Sequence, residues 1–197
     1  MLILIANCRR KRLRLPEDKK IILYAPTWRD NQHKAGVGYT YELGVDFDYL
    51  REQLEDEYVI LFRAHYLVAS KFNFAKYKGF VYNASKMDDI NKLYVIADLL
   101  ITDYSSVFFD YANLNRPILF YMYDLEDYGS EIRGFYIDLS ELPGNIVEKQ
   151  EDLVREIRAV KYDTAYYTEK YKTFHEKFNP LDDGKATDRV IEAVIKE

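Results

Sequence analysis

The apolar residues of this chain fall into short continuous runs, separated by stretches in which they recur every three or four positions. Runs at residues 21–25, 58–63, 79–83, 99–102 and 117–121 have the length and the β-branched and aromatic content of buried strands. Between them, residues 46–55 and 88–97 carry a helical period, with Asp46 in the position of an N-cap. Strand and helix in alternation predict crossover connections and a parallel sheet. The expectation is an α/β, Rossmann-like parallel sheet with helices on both faces. From residue 151 onward the strand pattern stops. Residues 152–160, 163–178 and 185–196 all read as helices, the last introduced by Asp182-Asp183-Gly184, and predict a helical C-terminal tail. Residues 27–41 read as a polar loop containing Gly36 and Gly38. No repeat, low-complexity tract or interdomain linker interrupts the pattern, so residues 1–197 are expected to form one unit.

One segment carries more information than the rest. In Leu99-Leu100-Ile101-Thr102-Asp103-Tyr104-Ser105-Ser106-Val107-Phe108-Phe109-Asp110-Tyr111, an apolar run ends in a polar turn and an amphipathic run follows at once. That is a buried strand, a tight turn and a helix opening on two serines. Unpaired N–H groups at a helix start, with hydroxyls beside them and the positive end of the helix dipole, favour an anion. Open parallel sheets hold phosphorylated ligands at the carboxyl ends of their strands. The segment therefore points to a phosphate-bearing ligand, most naturally a nucleotide.

The other strand ends fall on the same edge. Thr27 and Arg29 follow the first strand, Arg63 and His65 the second, and Thr102, Asp103, Ser105 and Ser106 the strand of the serine turn. Arg63 suits bidentate phosphate binding, or else an ion pair. His65 suits acid–base chemistry or donation to a phosphate, or else a structural role at a strand end. Ser105 and Ser106 suit both capping and anion binding, since the two use the same N–H groups. Asp103 either caps the helix or orients Arg63 or His65. Asp110 either reaches a ribose hydroxyl or is simply solvated. Trp28 either stacks on a base or anchors its loop. Arg133, before Gly134, either approaches a second phosphate or lies in a surface turn. His33 and His175 read as solvated.

Composition narrows the classes. The net charge of −5 gives no drive toward nucleic acid. The 19 tyrosines predict core rings whose hydroxyls find partners. The single cysteine, Cys8, allows no internal disulfide and fits a reducing cytoplasm. With three histidines, a His/Cys metal site is a poor fit, and no cofactor is implied. No apolar run is long enough to span a membrane. Residues 1–18, apolar and then basic (Arg9, Arg10, Lys11, Arg12, Arg14), read as a cut end or a linker to a missing N-terminal domain. The alternative is a basic arm touching a membrane. Neither G-x-G-x-x-G, nor G-x-x-x-x-G-K-[ST], nor G-x-S-x-G occurs, which removes the main signals of dinucleotide dehydrogenases, P-loop NTPases and serine hydrolases.

Taken in order, five segments resemble a known family. They are Leu23-Tyr24-Ala25-Pro26-Thr27-Trp28-Arg29-Asp30, Arg63-Ala64-His65, the run from Thr102 to Tyr111, Arg133-Gly134-Phe135-Tyr136 and Asp182-Asp183-Gly184-Lys185-Ala186. In this order they are similar to the CDP-glycerol glycerophosphotransferases, the teichoic acid primases and polymerases of Gram-positive bacteria. The resemblance runs from about Arg12 to the C-terminus. It implies the C-terminal, donor-binding half of a GT-B architecture and a CDP-glycerol or related CDP-polyol donor. It also implies transfer of glycerol phosphate to a hydroxyl of a growing polyol-phosphate polymer. On that resemblance Arg63 and His65 contact the donor phosphates, with His65 the candidate acid or base, and Ser105 and Ser106 hold the pyrophosphate. Thr27, Arg29 and Arg133 are further donor contacts. The family's other half, with its acceptor site and a second histidine, has no counterpart here. These residues alone are expected to bind the donor rather than complete the transfer, with peripheral contact at the inner face of the plasma membrane left open. Two rivals share the fold expectation: a transferase using another nucleotide sugar, and a non-catalytic interaction domain.

Overall fold

The computed structural model describes residues 10–27, 33–34, 38–39, 44–128 and 137–195. Its centre is a six-stranded sheet in the order β5-β4-β1-β6-β7-β8. The strands are β1 (Lys20–Ala25), β4 (Tyr58–Phe62), β5 (Val81–Asn83), β6 (Leu99–Thr102), β7 (Ile118–Tyr121) and β8 (Asn145–Val147). Every neighbouring pair is parallel. The polar loop after β1 contains a two-residue antiparallel pairing, β2 (His33–Lys34) with β3 (Gly38–Tyr39).

Alternate residues of each strand feed two cores. Ile21, Leu23, Val59, Leu61, Leu100, Ile118 and Phe120 face one side of the sheet. Ile22, Tyr24, Ile60, Phe62, Ile101, Leu119 and Tyr121 face the other. Because both faces are buried, the strands are apolar at every position, which is why they read as unbroken runs. The first side is covered by α3 (Asn91–Ile96), α4 (Val107–Ala112), α6 (Thr164–Lys170) and α7 (Lys172–Phe178). The second is covered by α1 (Phe47–Leu54), capped by the Asp46 carboxylate, and by α2 (Tyr66–Lys71) and α5 (Gln150–Ala159). The final helix, α8 (Ala186–Ile195), has no buried residue.

The expected α/β class, parallel sheet and helical tail are all present. Beyond the expected elements, the structure adds, besides the β2–β3 pairing and short turns, helix α2 and edge strand β8. A side chain at Gly144, just before β8, would place its Cβ 2.1 Å from the Ile118 carbonyl oxygen, so only glycine lets β8 start so close to β7. The helix expected over 163–178 breaks at Tyr171, which leaves helical geometry (φ −93°, ψ 2°). Its ring is fully buried and its hydroxyl donates to the Arg116 carbonyl at 3.0 Å. The basic N-terminal segment folds back onto the sheet in part: Arg10 pairs with Asp98 at 2.7 Å, and Leu15 is buried.

Candidate functional site

In this strand order the chain runs outward from β1 in both directions, through β4 to β5 and through β6 to β8. The junction of β1 and β6 is therefore the switch point, where such sheets open a crevice at their carboxyl edge. Ala25 and Thr102 face each other there in register. The Thr102 hydroxyl donates to the Ala25 carbonyl at 2.8 Å. One residue on, the Asp103 carboxylate accepts from the Thr27 N–H at 2.8 Å, the Thr27 hydroxyl at 2.6 Å and the Tyr104 N–H at 2.7 Å. Asp103 is only 2% exposed. A buried carboxylate needs several donors to replace its hydration, and here one oxygen draws three. Thr102 and Asp103, both candidates for ligand contact, are thus turned inward and tie the ends of β1 and β6 together. Asp103 bonds Thr27 across the switch point, while the Arg63 guanidinium engages backbone carbonyls elsewhere.

At the end of β4 the Arg63 N–H continues the ladder to the Tyr24 carbonyl at 2.9 Å. Its guanidinium donates from one terminal nitrogen to the Met87 carbonyl at 2.6 Å and the Ala84 carbonyl at 3.4 Å. The Ala64 N–H donates to the Ser85 hydroxyl at 3.1 Å, and the Ala84 N–H to the Phe62 carbonyl at 2.9 Å. The loop between β5 and α3 is thereby stitched to the loop between β4 and α2. Among the described residues Arg63 forms no ion pair, the alternative the sequence offered. Its Nε and second terminal nitrogen have no partner among the described residues. His65 begins α2 in extended geometry (φ −53°, ψ 145°), and its side chain does not cap the helix. It is exposed, with its ring 4.6 Å from that of Tyr66.

The serine turn stands opposite. Ser106 is exposed and makes no side-chain cap, and the Val107 N–H reaches the Ser105 hydroxyl only at 3.5 Å. The helix does not depend on either hydroxyl for capping. Asp110 lies one turn into α4. Burial by its neighbours raises its pKa above the usual carboxylate value, and the like charge of Asp182 adds to the effect. Arg29, Arg133 and Trp28 lie outside the described residues, as does the side chain of His33. His175, expected to be solvated, is half-buried, with Nε2 3.2 Å from the Ala112 carbonyl oxygen. The structure thus brings Thr27, Arg63, His65, Ser105 and Ser106 to one edge of the sheet. The Arg63 latch onto the Ala84–Met87 carbonyls escaped the sequence reading, because a contact across 24 residues leaves no local pattern.

Among the described residues no helix is long and apolar enough to cross a membrane. Comparison with known proteins gives a consistent picture. The sequence profile described as CDP-Glycerol:Poly(glycerophosphate) glycerophosphotransferase matches residues 6–196. A teichoic acid poly(glycerol phosphate) polymerase of Bacillus subtilis (strain 168) is 44% identical over 188 residues, which are 95% of this chain and 25% of that protein. A teichoic acid glycerol-phosphate transferase of Staphylococcus aureus (strain NCTC 8325 / PS 47) is 45% identical over 186 residues, 94% of this chain and 47% of that one. The solved structure of the wall teichoic acid polymerase TagF superposes with a TM-score of 0.84 at 40% identity, covering 98% of this chain and 47% of that chain. The chain spans between a quarter and about half the length of these relatives. With the sheet topology and a profile match over nearly every residue in agreement, the chain belongs to the CDP-glycerol:poly(glycerophosphate) glycerophosphotransferase family.

Proposed function

We propose that this chain binds CDP-glycerol, or a related CDP-polyol, at the carboxyl edge of β1, β4 and β6. It supplies the donor half of a transfer of glycerol phosphate to a hydroxyl of a teichoic-acid-like polymer. The observation that carries this reading is the serine turn at the switch point, anchored by the buried Asp103, where Ser106 is exposed and makes no cap and Ser105 accepts only a long 3.5 Å contact from the Val107 N–H. The family supports the nature of the donor, and a histidine-to-asparagine variant of the TagF polymerase, 39% identical, was soaked with CDPG.

On this reading the pyrophosphate lies against the N–H groups and hydroxyls of Ser105 and Ser106, with the open nitrogens of Arg63 on its flank. Thr27, Arg29, Arg133 and Asp110 are further donor contacts. An acceptor hydroxyl attacks the phosphorus that bears glycerol. The bond from that phosphorus to the bridging oxygen breaks, and CMP leaves with that oxygen. His65 is the group at this edge suited to moving a proton, from the acceptor or to the departing phosphate. Positioning and charge neutralisation supply most of the rate. The acceptor hydroxyl is presented by a partner domain. The setting is cytoplasmic, at the inner face of the plasma membrane, with the chain in peripheral contact.

Titrating the 15N-labelled chain with CDP to millimolar concentration tests the donor site. Amide shifts at Arg63, His65, Ser105 and Ser106 are expected. Replacing both serines by alanine should weaken CDP binding about ten-fold or more, the loss of one or two hydrogen bonds to a charged group. Shifts with a UDP-sugar and none with CDP overturn the donor assignment.

A further inference from the structure

Several core tyrosines of this chain find partners for their hydroxyls. Tyr111 donates to the Ala97 carbonyl at 3.0 Å, Tyr121 to the Gly44 carbonyl at 2.7 Å and Tyr171 to the Arg116 carbonyl. Tyr94 is different. It is 3% exposed, and its hydroxyl is buried with no hydrogen-bond partner among the described residues. A phenylalanine would fill the same space without leaving a buried polar atom unsatisfied, and such atoms are uncommon because each carries a desolvation cost.

Its location suggests what the oxygen is for. Tyr94 sits on α3, immediately beyond the loop that Arg63 grips. Its ring packs edge-on against Tyr111 at 5.7 Å, and Tyr111 directly follows Asp110 in α4. Burial keeps the phenol protonated, the Asp110 carboxylate acts in the same direction and the Arg63 guanidinium acts against it. The Asp110 carboxylate is exposed and has no hydrogen-bond or ion-pair partner among the described residues, so it is free to turn.

We propose that Tyr94 is a positioning residue. When ligand binds, its hydroxyl donates to the Asp110 carboxylate, and that carboxylate accepts from a ligand diol whose neighbouring phosphate faces Arg63. The chemistry recognised is a vicinal diol next to a phosphate. CDP-glycerol presents it twice, in the ribose and in the glycerol. The inference rests on the donor-site reading above and assigns Tyr94 a part in it.

The test compares the wild-type chain with Y94F, D110N and the double variant, using calorimetric titration with CDP, 2′-deoxy-CDP and CDP-glycerol, and thermal melting. Y94F should melt no lower than wild type, because it removes an oxygen that bonds nothing in the free chain. It should bind a diol ligand about five-fold more weakly, and should add no further loss in the D110N background. A loss with CDP that disappears with 2′-deoxy-CDP assigns the diol to the ribose. A loss with CDP-glycerol that is absent with CDP assigns it to the glycerol. Equal affinities of wild type and Y94F for all three ligands overturn the proposal, as does a lower melting temperature with the same proportional loss for each ligand. Failure of wild type to bind any of the three overturns the donor-site reading, and this inference with it.

Discussion

Two strand-to-helix turns meet at the carboxyl edge of the sheet, and they are built in opposite ways. The turn after β6 is tied inward: Asp103 is buried, and three donors converge on one of its oxygens. The turn after β4 is tied through its arginine, which reaches sideways to two carbonyls, while His65 stands exposed at the helix start. The contrast separates the groups that shape the crevice from those available to a ligand. A carboxylate enclosed by donors is already satisfied and serves the fold. The exposed His65, with its ring against Tyr66, is the group at this edge to which the proposed function gives the chemistry.

The strongest test of that contrast is Asp103→Ala. Removing the carboxylate leaves the N–H groups of Thr27 and Tyr104 without their acceptor, at about 1–3 kcal/mol for each buried group. Urea unfolding should show a loss of about 2–5 kcal/mol, and a loss below about 1 kcal/mol would erase the distinction between the two turns. His65→Ala should behave in the opposite manner. Stability should stay within about 0.5 kcal/mol of wild type, while binding or turnover of the donor falls about ten-fold or more. A comparable loss of stability would make His65 a structural residue. Asp110→Asn gives the smallest effect. Burial raises the Asp110 pKa, so the folded chain holds that proton more tightly than the unfolded chain. The stability linked to this group is fully present below the unfolded value of 3.8 and is lost as pH rises through the raised folded value. The variant should therefore melt slightly higher than wild type at pH 7 and coincide with it near pH 3; a lower melting temperature at pH 7 would show that the charged form is the stabilised one.

Much of the scaffold was legible because both faces of the sheet are buried. Unbroken runs such as Ile21 to Ala25 follow from that burial, and the crossovers between them leave one arrangement of strand ends. Helix α2 was not legible: Tyr66–Lys71 is short and has only Val68 and Ala69 buried, too few for a periodic signal. Strand β8 has three residues, and its place depends on the close approach at Gly144 rather than on any local preference. Helices α5 and α8 make the point most directly. Both are ten residues long and amphipathic, yet α5 buries Leu153, Val154 and Ile157, while α8 leaves Val190, Ile191, Val194 and Ile195 exposed. Periodicity states that a helix has an apolar side, and packing decides whether anything covers it.

The candidate site divides along the same line. Sequence alone determined the α/β class, the strand-turn-helix at the serines and the residues that the carboxyl edge brings together, because hydrophobic period and turn chemistry act over a few residues. Tertiary structure alone decided that Thr102 and Asp103 face inward, that Arg63 latches onto a loop 24 residues away, and that the Tyr94 hydroxyl is buried without a partner among the described residues. Those outcomes depend on which donors and acceptors meet across the sheet. No local preference encodes such a meeting, and it exists only once the chain has closed on itself.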